Sequence, residues 1–110
     1  MSESRFYVCE KCGNTVGMIH DKGATLMCCG RPMTHLKPEK KTLNVERKEN
    51  VIRVTAGKGD DWVYLATDRG GQRKMLDPNG SRELSFSLND EEPYAVYAFD
   101  GKTSLSMVNI

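Results

Sequence analysis

Cys9-Glu10-Lys11-Cys12-Gly13-Asn14, answered by Cys28-Cys29-Gly30, is the stretch that decides how this chain is read. It holds all four cysteines of a 110-residue sequence. A Cys-x-x-Cys turn lets two sulfurs converge on one point while the backbone N–H groups inside the turn aim at them. A second cysteine pair then completes the sequence form of a tetrathiolate metal site. Four soft donors suit zinc or iron and exclude hard ions such as magnesium. The candidate metal ligands are Cys9, Cys12, Cys28 and Cys29. The second pair has no residues between its members, so its side chains leave the backbone in different directions. That predicts a distorted half-site at Cys28-Cys29 beside a relaxed one at Cys9/Cys12.

Other uses of four cysteines weigh less. Two disulfides need an oxidising compartment, whereas Met1-Ser2-Glu3-Ser4-Arg5 is polar and no apolar run follows it. The expectation is a cytoplasmic chain with reduced thiols. A vicinal disulfide at Cys28-Cys29 would be strained. A redox dithiol of thioredoxin type at Cys9/Cys12 wants a βαβ setting that the pattern does not offer.

Outward from the cysteines, Phe6-Tyr7-Val8 reads as a short strand and Thr15–His20 as a second. Asp21-Lys22-Gly23 is a turn, Thr25-Leu26-Met27 returns as a strand, and Gly30-Arg31-Pro32 breaks it. These small hairpins hold too few apolar side chains for a core of their own, so the metal is at least structural. Thr34–Lys41 reads as a polar, extended linker. From there short strands recur: Leu43–Arg47, Val51–Ala56, Trp62–Thr67, Gln72–Leu76, Glu83–Leu88, Tyr94–Phe99 and Thr103–Val108, separated by Gly-, Pro- and Asp-rich turns. Seven strands at this spacing predict a small antiparallel sandwich. Trp62, Leu65, Leu84, Phe86, Val96 and Leu105 are its expected core. The boundaries expected are 1–36 for the cysteine domain and 37–110 for the sandwich.

Composition closes several other routes. The formal net charge of +1 argues against nucleic acid as the main partner, and no apolar run is long enough to suggest a membrane span. After His35 there is no Cys and no His, and the later carboxylates fall mostly in turns without calcium-site spacing. No Gly-rich phosphate loop or nucleophile elbow appears. His20 and His35 lie near the cysteines and read as ordinary strand and linker residues rather than ligands, because four thiolates already complete a tetrahedron.

The first 36 residues resemble the desulforedoxin module. The resemblance rests on Phe6-Tyr7-Val8-Cys9-Glu10-Lys11-Cys12-Gly13-Asn14, on Gly23-Ala24-Thr25-Leu26-Met27-Cys28-Cys29-Gly30 and on Pro32-Met33. It implies one iron in a distorted rubredoxin-like tetrahedron held by Cys9, Cys12, Cys28 and Cys29. The same module opens desulfoferrodoxin, the two-iron superoxide reductase, ahead of an immunoglobulin-like sandwich whose second iron is bound by four histidines and one cysteine. Arg73–Pro78 and Tyr94–Ala98 are similar to its later strands. The resemblance places that iron's histidines where this chain runs Ala56-Gly57-Lys58-Gly59-Asp60-Asp61-Trp62, and its Cys…His loop where this chain has Phe99-Asp100-Gly101-Lys102. The latter reads as a two-residue Asp-Gly hairpin turn, without ligands or length for a metal. No catalytic residue is carried over, which points away from an enzyme.

The combined expectation is a mostly β protein: a metal-stapled, rubredoxin/desulforedoxin-like hairpin module followed by an immunoglobulin-like antiparallel β-sandwich without its iron. The leading functional reading is a one-electron carrier with one Fe(Cys)4 centre, an unidentified redox partner protein and a homodimeric state. The alternatives are a structural Zn(Cys)4 site in a non-redox binding module, and a superoxide reductase relative with a residual oxidative-stress role.

Overall fold

The computed structural model describes residues 5–19, 22–40, 43–102 and 104–110. Among these residues all regular structure is β, in thirteen strands. The chain divides into two compact units, Met1–Lys37 and Pro38–Ile110.

In the first unit, β1 (Arg5–Val8) is the middle strand of a three-stranded antiparallel sheet, flanked by β2 (Thr15–Met18) and β5 (Thr34–Leu36). Alternation decides its faces: Phe6 and Val8 are buried while Arg5 is exposed. Phe6 lies opposite both Gly17 and Leu36. A Cβ at Gly17 would stand 3.2 Å from Cε1 of the Phe6 ring, so this strand position favours a residue without a side chain.

The expected break after Cys29 is instead a hairpin. β3 (Met27–Cys28) pairs with β4 (Arg31–Pro32) in the register Cys28↔Arg31, leaving Cys29-Gly30 as a two-residue turn. Both turn residues have positive φ, 54° and 74°, as a type I′ turn requires.

Thr34–Lys41 is also not a solvated linker. Thr34–Leu36 forms β5, and Glu39–Lys40 forms β6, which pairs in parallel with β13 (Leu105–Asn109). The reason is local: Leu36 is buried, and pairing with β1 satisfies the backbone groups that its burial removes from water. Lys41 lies outside the described residues.

The second unit is a sandwich. One sheet has the order β10-β9-β12-β13-β6, with β9 at Trp62–Thr67, β10 at Gly70–Met75 and β12 at Pro93–Phe99. The other has the order β11-β8-β7, with β7 at Asn44–Lys48, β8 at Val51–Thr55 and β11 at Glu83–Ser87. Both sheets feed one core: Ile52, Val54 and Phe86 from the smaller, and Val63, Leu65, Val96 and Ala98 from the larger. Of the expected core residues, Trp62, Leu65, Phe86, Val96 and Leu105 are buried, and Leu84 packs half-buried against the cluster. The alternation in β8 is clean, with Ile52 and Val54 inside and Val51 and Arg53 outside. On the other face of the large sheet, Tyr64 and Tyr97 pair at 6.4 Å and Trp62 and Phe99 at 5.5 Å between ring centroids.

Two long-range arrangements hold the loops and edges. Arg82 Nη1 donates to the carbonyls of Asp60 (2.9 Å), Gly57 and Lys58 (both 3.4 Å), and its Nη2 donates to Asp77 O (2.8 Å). Outer strands of the two sheets are also stitched together. From β10, Gln72 Nε2 donates to Ser87 O and Lys74 Nζ to Ser85 O of β11, each at 2.5 Å.

The turn after β12 differs from the expected two-residue type. Phe99 pairs with Leu105, so the connection runs over residues 100–104. Asp100 sets its shape: Oδ1 accepts the N–H groups of Lys102 (2.8 Å) and Ser104 (3.0 Å), and Gly101 takes φ +81°.

Candidate metal centre

The first half of the site is a closed knuckle. Cys9 N–H donates to Asn14 O and Gly13 N–H to Cys9 O, each at 2.8 Å, with Gly13 at φ +83°. Glycine adopts that left-handed backbone without steric cost, which lets the chain fold back under Cys9. Cys9 is buried and Cys12 exposed. The second half comes from the β3–β4 hairpin. Cys28 ends β3, and Cys29 occupies the first turn position at φ 54°. Cys29 thus holds a left-handed backbone that non-glycine residues rarely adopt, and across the turn the two adjacent sulfurs stand 3.9 Å apart.

All four sulfurs lie within 4.8 Å of one another. Cys12 Sγ and Cys28 Sγ are 3.5 Å apart. A metal–sulfur bond of about 2.3 Å sets the sulfur–sulfur edge of a tetrahedron at about 3.8 Å. The observed edges bracket that value, so both the spacing and the donor type fit a tetrathiolate ion.

The electrostatics are asymmetric. The Cys9 thiol is held down to about 6 from an ordinary 9.0, chiefly by the Cys12 backbone N–H; burial opposes this, and the Lys11 N–H adds to it. Cys28 is pushed up, first by hydrogen bonding with the Cys12 and Cys9 thiols. Cys29 is pushed up to about 12 for the same reason, with Cys12 first and then Cys28 and Cys9. One anion at Cys9 is thus favoured, while Cys28 and Cys29 keep their protons in hydrogen bonds to the neighbouring thiols. A divalent or trivalent cation would displace those protons and neutralise the thiolates it binds.

Asn14 is a residue whose role the sequence did not disclose. Its Nδ2 donates to Cys28 Sγ at 3.6 Å. Its position just after Gly13 was a signal of sorts, since a polar amide following a knuckle glycine is close to the sulfurs. His35 is not among the clustered groups; it faces Tyr7 across β1 and β5, with ring centroids 5.1 Å apart. His20 lies outside the described residues.

The segments that the resemblance assigns to a second iron do meet in the second unit. Asp61 N–H donates to Phe99 O at 2.7 Å, beside a cavity of about 210 Å³ lined by Lys58, Asp60, Asp61, Arg82 and Asp100, among others. Its side chains offer carboxylates and cations, and residues 38–110 contain neither Cys nor His. Four histidines and a cysteine have no counterpart there, so the residues do not fit that centre.

Comparison with known proteins agrees with the sequence resemblance. Residues 2–36 match the family described as desulfoferrodoxin, N-terminal domain. A desulfoferrodoxin from Nitratidesulfovibrio vulgaris is 28% identical over 110 aligned positions, spanning 86% of this chain and 87% of the relative. A desulfoferrodoxin from Syntrophotalea carbinolica is 30% identical over 98 positions, spanning 74% of this chain and 78% of the relative. The superoxide reductase of Treponema pallidum shares the fold, with a TM-score of 0.81, 20% identity, and coverage of 97% of this chain and 98% of that one. No helix among the described residues is long and apolar enough to cross a membrane. By motif, by alignment through both units and by fold, this chain belongs to the desulfoferrodoxin family.

Proposed function

We propose that Cys9, Cys12, Cys28 and Cys29 hold one iron ion and that the protein is a one-electron carrier. The observation that carries this reading is the gathering of four sulfurs within 4.8 Å, two of them, Cys12 and Cys29, exposed. Iron in such a set supplies a ferric/ferrous couple. The chain's contribution is to fix the four donors, to bury Cys9 on the inner side, and to leave two thiolates at the surface where a partner's redox centre can approach. Backbone N–H groups aimed at Cys9 offset the negative charge of the thiolates.

Relatives bear the name desulfoferrodoxin, and the matched fold is that of a superoxide reductase. The second unit has no donors for a catalytic iron of that kind, so superoxide reduction is not part of the proposal. The sandwich serves as scaffold or docking surface. We further propose a homodimer, supported by the exposed Val16, Ile19 and Met27 of the first unit. Light scattering after gel filtration at micromolar concentration should give twice the chain mass, and a chain mass would refute it.

The deciding experiment is metal analysis with a visible spectrum on protein from its own host grown with ample iron. One iron per chain, a red colour and a reversible one-electron wave are expected. Colourless protein carrying one zinc would refute electron transfer and favour the structural zinc site, which four thiolates accept equally well.

A further inference from the structure

We propose that Asn14 is a positioning residue for the tetrathiolate centre, supplying through its side chain an amide donor to the Cys28-Cys29 half. The inference rests on the electron-transfer reading. A Cys-x-x-Cys turn provides its own backbone donors, and Cys9 receives the N–H groups of Cys12 and Lys11. Adjacent cysteines share one peptide unit with no residue between them, and here the pair is committed to a two-residue hairpin turn. Asn14 spans the gap. Its backbone carbonyl is fixed by Cys9 N–H at 2.8 Å, inside the first half. Its Nδ2 reaches Cys28 Sγ at 3.6 Å, across fourteen residues of sequence, in the second half. One residue thereby ties both halves together and places a partial positive charge against a thiolate. Such N–H···S contacts favour the more negative, reduced state of a metal–thiolate centre and raise its potential. The anchoring bond belongs to the backbone, so the side chain can be changed while the knuckle stays closed.

The test compares wild type with Asn14→Asp, Asn14→Ala and Asn14→Gln, each loaded with iron for voltammetry and with cobalt(II) for its sulfur-to-metal charge-transfer band. Asn14→Asp keeps the shape and loses the donor. The expected result is a more negative potential and a red-shifted cobalt band in Asn14→Asp and Asn14→Ala, with the larger shift in Asn14→Asp. Asn14→Gln, which keeps an amide, should lie between Asn14→Ala and wild type. Potentials and bands unchanged across the series would overturn the proposal. Weaker metal retention with an unmoved potential would overturn it too, because it would make Asn14 a mechanical clamp only. The cobalt band separates this inference from the reading beneath it. If wild-type iron protein shows no reversible couple while the band still follows residue 14, electron transfer fails and the Asn14 assignment stands.

Discussion

Stripping the metal should melt the first unit and spare the second. The buried apolar side chains of the first unit, other than Cys9, are Phe6, Val8 and Leu36 among the described residues. At ~1.5–3 kcal/mol for each fully buried side chain, they contribute about 5–9 kcal/mol. Its strands β1–β5 have lengths 4, 4, 2, 2 and 3, or 15 residues in all. Fixing a backbone costs ~1–2 kcal/mol per residue, so these strands alone cost about 15–30 kcal/mol. The shortfall is of the size that a structural tetrahedral metal supplies in small peptides, on the order of 10–16 kcal/mol. Without the ion the unit should unfold; the second unit keeps its own core of ten buried side chains. The perturbation is a strong chelator at mildly acidic pH, followed by return to neutral buffer with reductant. Because β6–β13 hold 41 strand residues, far-ultraviolet circular dichroism should lose about a quarter of its strand signal. Fluorescence of the single tryptophan, buried Trp62, should not move, and amide resonances should collapse for residues 5–36 while persisting for 43–102. An unchanged strand signal would refute the reasoning, as would collapse of both units together.

Three further outcomes are expected. Acid should release the metal, because protons compete with it for all four thiolates and affinity falls as pH falls. Visible absorbance against pH measures the midpoint, and Cys9→Ser should move it upward. Phe86→Ala empties a fully buried ring position and should cost the second unit about 3–5 kcal/mol, read as a lower urea midpoint of Trp62 fluorescence. Arg82→Ala removes the donor to four loop carbonyls and should cost about 2–3 kcal/mol in the same assay, with Arg82→Lys recovering part of it.

The cysteine pairs and the strand pattern were legible because their signals are local. Spacing alone exposes Cys9/Cys12 and Cys28-Cys29, and alternation alone exposes β8 and β11. What escaped depends on partners distant in the chain. Thr34-His35-Leu36 looks like linker until β1, 28 residues earlier, lies beside it. Asn14 and Arg82 are ordinary polar residues until a fold brings Cys28 to the one and the carbonyls of residues 57–60 to the other. The Asp100-Gly101 pair promised a tight turn, yet the Asp100 carboxylate captured two N–H groups further along and made a longer loop. Loop length was therefore no obstacle to a ligand there; the missing donors were.

The stitch between β10 and β11 has a consequence for solubility. Outer strands present unpaired carbonyls on which another chain can build, the first step towards fibrillar assembly. Here the carbonyls of Ser85 and Ser87 already hold the side chains of Lys74 and Gln72. The seam is closed by the protein's own side chains, which denies a foreign strand its docking groups at that rim. The opposite margin is guarded differently, by the charged run Glu46-Arg47-Lys48 on β7 and by a β6 only two residues long. A sandwich made this way can tolerate loss of its metal-bearing neighbour without becoming a template for aggregation.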